Sequence, residues 1–372
     1  MLHRCLYRAR EGNTFPLALD QLRSAIDLPR WHERIQYFRA LWHLVDQGDP
    51  GAAMRELAAI DIESCFDVDV LELYIDAAPA SLPFSQRIEL IDRIIENAQK
   101  EPERLQYSLL KGVFHCLICE FDDGSRYIQS AIERYRSLSA EKRTRYGDLF
   151  LARALATLGR LQGDPSSLRQ AIVVYERLVE ACQERGGSEE YLAELEKSLG
   201  DCHLDLGESL EAIGWYRRSL DHAPTGLTRV FLVRALSDTA DLRSARATLA
   251  EVDISGFDDS CMLDLALVSS KLAIQSKRDD DWQQAVALLK RTNPHHPLFR
   301  QYKDSALLGL LEIQRGGSPN RLSGVLSSFS RYFLLSPNFF GLGLNLNNVL
   351  DDVRDAMARR RHQQQDLSDG SA

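Results

Sequence analysis

Between Tyr191 and Pro224 the chain places Leu199-Gly200, then Ala212, then Tyr216 four residues on, and closes with Pro224. Gly200 carries no side chain to hold two helix backbones apart, and Ala212 does the same service on the following segment. Tyr216 fills the space beyond that contact, and a proline cannot continue a helix. The spacing predicts two antiparallel helices in close contact. The same offsets recur upstream, where Leu158-Gly159 is followed by Ala171 and Tyr175. Ala245/Leu249 and Ala285/Leu289 continue the series, the latter closed by Pro297, and Ala53/Leu57, Leu90/Ile94, Ile128/Ile132 and Gly324/Ser328 are looser pairs. One hairpin cannot bury both apolar faces alone, so such units stack, three or more together.

These residues resemble the tetratricopeptide repeat, whose pattern runs L-G, two residues, an aromatic, then A-x-x-x-F and a closing proline. The likeness is strongest over 152–297, weak before 150 and absent after 337. It implies an all-α fold: a right-handed α-solenoid of helix-turn-helix repeats ending in a C-terminal capping helix. The expected organisation is a lead-in helix in 1–30 that Pro29 terminates, degenerate helical repeats in 31–150 and tetratricopeptide-like repeats in 151–337. An apolar segment and the capping helix follow in 338–361, with a disordered tail in 362–372. Leu346, Val349, Leu350, Val353 and Met357 give the capping helix its apolar face.

Composition narrows the function. A formal net charge of -9 and a pI near 5.6 argue against direct nucleic-acid contact, since a duplex repels such a surface. The one basic cluster, Arg354 with Arg359-Arg360-Arg361, reads as favourable charge at a helix C-terminus. Seven scattered cysteines are not a disulfide framework, and neither a signal peptide nor a long apolar run is evident. The chain is therefore expected to be cytoplasmic, with no membrane contact.

No constellation of catalytic residues is evident, and no enzyme activity, metal or cofactor is expected. Cys116 and Cys119 share an apolar helix face with no second ligand pair, which predicts core packing rather than zinc. His295-His296 between Pro294 and Pro297 reads as a surface loop, and Asp279-Asp280-Asp281 as a solvated turn. Phe339, Phe340, Leu342 and Leu344 alternate along an apolar segment that would pack internally or serve as a hydrophobic interface.

Within the resembled family the first helix of each repeat lines the concave face. That implies Arg153, Ala156 and Arg160 in one unit, then Glu194, Lys197, Asp201 and Asp205, then Val230 and Arg234, then Ser270, Ile274 and Lys277. Arg153, Arg160, Lys197, Arg234 and Lys277 would form a discontinuous basic stripe suited to an acidic or carboxylate-bearing peptide. The family's chaperone clamps pair lysine with asparagine; here Asp201 follows Lys197 by one turn and would repel a carboxylate, which disfavours that reading. The leading expectation is a non-enzymatic scaffold that binds a protein or peptide in its groove. Bacterial peptide receptors of the Rap type are similar in length and architecture, which makes a ligand-gated regulator the alternative. A structural subunit working beside a separately encoded effector enzyme is the third. Residues 1–70 carry no DNA-binding head, and the sequence leaves the oligomeric state open.

Overall fold

A computed structural model describes residues 19–20 and 29–314, except 46, 48, 79–81, 119, 187, 256, 258 and 295–296. Among the described residues there are fifteen α-helices, one short 3-10 turn at Ala140–Lys142 and no strand. The expected all-α repeat architecture is present. The helices divide into two compact units, the first ending at Gln99.

The first unit contains α1 (Pro29–Val45), α2 (Pro50–Leu57), α3 (Val68–Ala77) and α4 (Phe84–Asn97). Pro29, expected to end a lead-in helix, is the first residue of α1, where its missing N–H is no loss. Ala40, Ala53, Leu57, Ile60, Val70, Leu73 and Ala77 form the core. Arg87 from α4 is buried and donates to the carbonyls of Ile75, Ala78 and Leu82, so one guanidinium satisfies the orphan acceptors where α3 ends.

The second unit is a series of hairpins. They are α5 (Glu101–Leu117) with α6 (Phe121–Ser137), α7 (Arg145–Gln162) with α8 (Pro165–Glu184) and α9 (Glu189–Asp205) with α10 (Ser209–His222). Next come α11 (Gly226–Asp238) with α12 (Leu242–Ala250), α13 (Asp259–Ser276) with α14 (Asp279–Arg291), and α15 (Pro297–Gln314).

A common turn fixes the register. Gly163, Gly207 and Ala240 each adopt left-handed backbone (φ 64, 77 and 60°), and each is followed by an acid, Asp164, Glu208 or Asp241. The acid's N–H returns to the first helix, Asp164 to Gly159 O (2.8 Å), Glu208 to His203 O (2.8 Å) and Asp241 to Leu236 O (3.0 Å), as Glu120 does to His115 O (2.9 Å). Asp164 and Asp241 then cap their second helices through side-chain oxygens.

Counted from this acid, whose counterpart before α2 is the cap Asp49, Ala53, Gly124, Ala212 and Ala245 are equivalent, and so are Leu57, Ile128, Tyr216 and Leu249. Gly112 and Gly200 stand eight residues before it. A Cβ on Gly200 would lie 2.6 Å from the Tyr216 ring, and one on Gly112 2.7 Å from Ile128, so the close contact expected at Gly200 is real. The equivalents of Ala212 and Tyr216 in the α7–α8 hairpin are Leu168 and Ile172. Ala171 and Tyr175 sit one helical turn later, and Ile128/Ile132 is likewise displaced by a turn. The displacement has a use: Tyr175, fully buried, reaches Ser198 and Cys202 of the next hairpin as well as Arg153 of its own.

Asp279-Asp280-Asp281 is not a solvated turn but the first turn of α14, where carboxylates complement the helix dipole. Asp281 is buried and accepts from Arg246 Nε at 3.1 Å. Cys116 packs in the core of the α5–α6 hairpin as expected. His295-His296, Gly324/Ser328, the Phe339–Leu344 segment, the capping helix and the tail lie outside the described residues.

Candidate functional site

Charges recur on one side of the central first helices. On α7, Arg153 and Arg160 are seven residues apart; on α9, Glu194, Lys197, Asp201 and Asp205 follow at three- and four-residue steps. Helical geometry puts each set on one face. That face is not an open stripe. Arg153, Arg160, Lys197 and Asp201 are all at most 4% exposed.

The reason is the pairing between hairpins. Arg160 Nε donates to Asp205 Oδ2 at 2.7 Å, with side-chain exposures of 2% and 7%. Arg153 Nη2 lies 3.8 Å from Glu194 Oε1. Lys197 Nζ donates to Asp201 Oδ2 at 3.0 Å, and the other oxygen of Asp201 accepts from Tyr216 Oη of α10 at 2.8 Å. Phe231 of α11 covers Lys197, its ring centroid 4.9 Å from Nζ. Half-buried Arg234, also on α11, acts electrostatically on Asp205 and Tyr216. A single charged network thus spans α7, α9, α10 and α11.

Electrostatics follow from desolvation. Burial works against the Arg160 charge, but Asp205 outweighs it and holds the guanidinium protonated more tightly than usual. Burial raises the Glu194 carboxyl, opposed by Lys197 and Arg153. The Tyr216 hydroxyl is pushed up by burial and then by Asp201, so it stays a donor. The Cys202 thiol, raised by burial, is not a nucleophile in this setting.

The structure thus brings together Arg153, Arg160, Glu194, Lys197, Asp201 and Arg234. Lys277 stands apart, exposed and in left-handed backbone (φ 55°) just beyond α13. Tyr216 and Phe231 take part without having been singled out as site residues. The signal for Tyr216 was its place beside Gly200, which brings its hydroxyl over the neighbouring Asp201. Phe231 had none, because one ring among the apolar residues of α11 reads as core.

Elsewhere, an open cleft of about 530 Å³ between the start of α6 and the end of α7 is lined by Phe121, Asp122, Ser125, Arg126 and Leu161. Among the described residues no group of His, Cys, Asp and Glu is arranged to hold a metal ion. None of the described helices is long and apolar enough to cross a membrane.

No protein-family model matches the chain, and no curated protein matches it. The architecture does match a solved structure, the crystal structure of a Rap protein complexed with Competence and Sporulation Factor. The two share 13% identity with a TM-score of 0.51, over 93% of this chain and 96% of that one. At that identity the likeness is one of fold.

Proposed function

We propose that this chain is a non-enzymatic, cytoplasmic interaction scaffold that captures a carboxylate-bearing protein or peptide segment along the first helices of its second unit. The observation that carries the reading is the charged network itself. Four cations (Arg153, Arg160, Lys197, Arg234) meet three carboxylates (Glu194, Asp201, Asp205) in a largely desolvated setting, where charge-assisted hydrogen bonds are strongest. Buried charges in an α-solenoid cost desolvation energy, and apolar residues would stack the helices as well. Arg153, Arg160, Lys197 and Asp201 are shielded and paired with one another, so half-buried Arg234 and Glu194 are the groups of this network that a captured segment meets first.

The Rap protein of similar architecture was solved with a bound factor, which supports the same use of the fold here. It also favours the second reading, a regulator whose partner binding is gated by the captured segment. Of the two, the scaffold makes fewer demands: it needs the groove alone.

The test is a binding measurement on the full chain. Fluorescent peptide pools, acidic and charge-reversed, are titrated against wild type and Arg234→Glu/Lys277→Glu. Arg234 is half-buried beside Asp205 and Lys277 is exposed, so folding is checked by circular dichroism, and the charge-neutral Arg234→Gln/Lys277→Gln decides if the reversed variant does not fold. Preference for acidic peptides, weakened at least tenfold in the double variant, is the expected result. Equal affinity for both pools, or no change in the variant, overturns the reading.

A further inference from the structure

The first helices of the second unit are not evenly stacked. α5 and α7 lie backbone against backbone, and so do α11 and α13; α9 and α11 approach only slightly, and α7 and α9 least of all. What spans the α7–α9 seam is side chain, and charged side chain: Arg160 to Asp205 and Arg153 to Glu194. On the outer side of the same junction the packing is of the opposite kind. There α8 lies closely along α9, with Tyr175, Leu178, Val179 and Cys182 buried on α8 and Leu192, Leu195 and Leu199 on α9. The link between these two helices runs through Gly186, in left-handed backbone (φ 63°) with no atom within 4 Å of where a Cβ would stand.

We infer that this junction is the joint at which the hairpin stack opens and closes: the apolar α8–α9 contact is the hinge and the Arg160–Asp205 pair is the latch. Apolar packing is non-directional and tolerates a few degrees of roll, whereas a 2.7 Å ion pair holds only near one geometry. Rolling α9 about its contact with α8 separates α9 from α7 without breaking the hinge. A glycine with no steric neighbours absorbs the backbone change such a roll demands. The α9–α11 seam is also sparse, but its link runs through Gly226, where a Cβ would run into Asp253 O, so that link is not free to absorb a roll. Between α6 and α7, Tyr135 ties the hairpins by donating to Thr144 O (3.1 Å) and Asp148 (3.3 Å).

The joint does not depend on any ligand, so its test stands apart from the binding experiment. Hydrogen exchange of the full-length chain, read by mass spectrometry, is compared among wild type, Asp205→Asn and Arg160→Met/Asp205→Leu. In wild type, the facing halves of α7 and α9 are expected to exchange at least tenfold faster than α5 and α13. Asp205→Asn should accelerate that region selectively. The double variant, which fills the seam with apolar side chains, should slow it below wild type and leave α5 and α13 unchanged. If Asp205→Asn does not fold, the double variant decides. Exchange in the α7–α9 seam that matches α5 and α13 in wild type, or is not slowed in the double variant, overturns the joint.

Discussion

Arg160 and Asp205 show what a single pair does in this molecule. Taking two charges out of water costs several kcal/mol per ion before their attraction is counted, so the pair is a poor source of stability but a hard one to break. Asp205→Asn leaves a buried guanidinium without its carboxylate and should cost about 3–5 kcal/mol in urea unfolding. Arg160→Met with Asp205→Leu should be neutral or stabilising, by up to about 4 kcal/mol. If the double replacement costs as much as the single one, the pair is a net stabiliser and this account of it is wrong. Glu196 tells a complementary story. Its side chain is 2% exposed, its Oε2 accepts no hydrogen bond, and His222 Nε2 is 3.6 Å away. Burial raises the carboxyl despite His222, so the folded state binds the proton more tightly than the unfolded chain. This contribution is present in full below the ordinary carboxylate range and is lost as pH rises through the raised value. Glu196→Gln should therefore unfold at equal or higher urea concentration at pH 7 and flatten the profile above pH 4. A large loss of stability at pH 7 would refute the assignment.

At the level of the element, three second helices, α8, α10 and α12, begin where a left-handed residue hands over to an acid. The Asp164 carboxyl is lowered by the Ser167 hydroxyl and the Ser166 N–H, and that of Asp241 by the Ser244 side chain and N–H. Here the sign is opposite to Glu196: the caps stabilise above the ordinary carboxylate range and stop doing so as pH falls through the lowered values. Substituting both caps by alanine should shift the thermal midpoint downward at pH 7 and leave it nearly unchanged at pH 2, followed by circular dichroism. The hairpins were legible in the sequence because a small residue facing an aromatic leaves a mark at fixed spacing, as at Gly200 and Tyr216. Register was not. Gly159 also lies at a close contact, a Cβ there standing 2.9 Å from Leu168, but it occupies the place of His203 rather than of Gly200, and only the turn acid at Asp164 reveals the three-residue difference. Nor was the burial of α7 and α9 legible. A charged residue on an amphipathic helix looks solvent-facing until the partner charge on another hairpin, more than forty residues away, is known.

Across the whole second unit, each hairpin meets mainly its neighbours, so stability should behave as a sum of local terms. Gly112→Ala and Gly200→Ala each force a methyl into a contact tighter than van der Waals distance, at about 1–3 kcal/mol. The sites are two hairpins apart, and their effects should add to within about 0.5 kcal/mol. Gly200→Ala combined with Tyr216→Phe should not add, because those residues touch. Coupling between the distant glycines in a double-mutant cycle would mean that the stack yields as one body. The repeated turn carries a last consequence. Gly163 and Gly207 adopt their left-handed backbone freely, but Ala240 holds the same conformation with a methyl group set against the following carbonyl. Glycine at position 240 would release that strain, at some cost in the entropy of the unfolded chain, for a net gain of roughly 0.5–1 kcal/mol. At this one corner the protein is made sturdier by the removal of a single carbon atom.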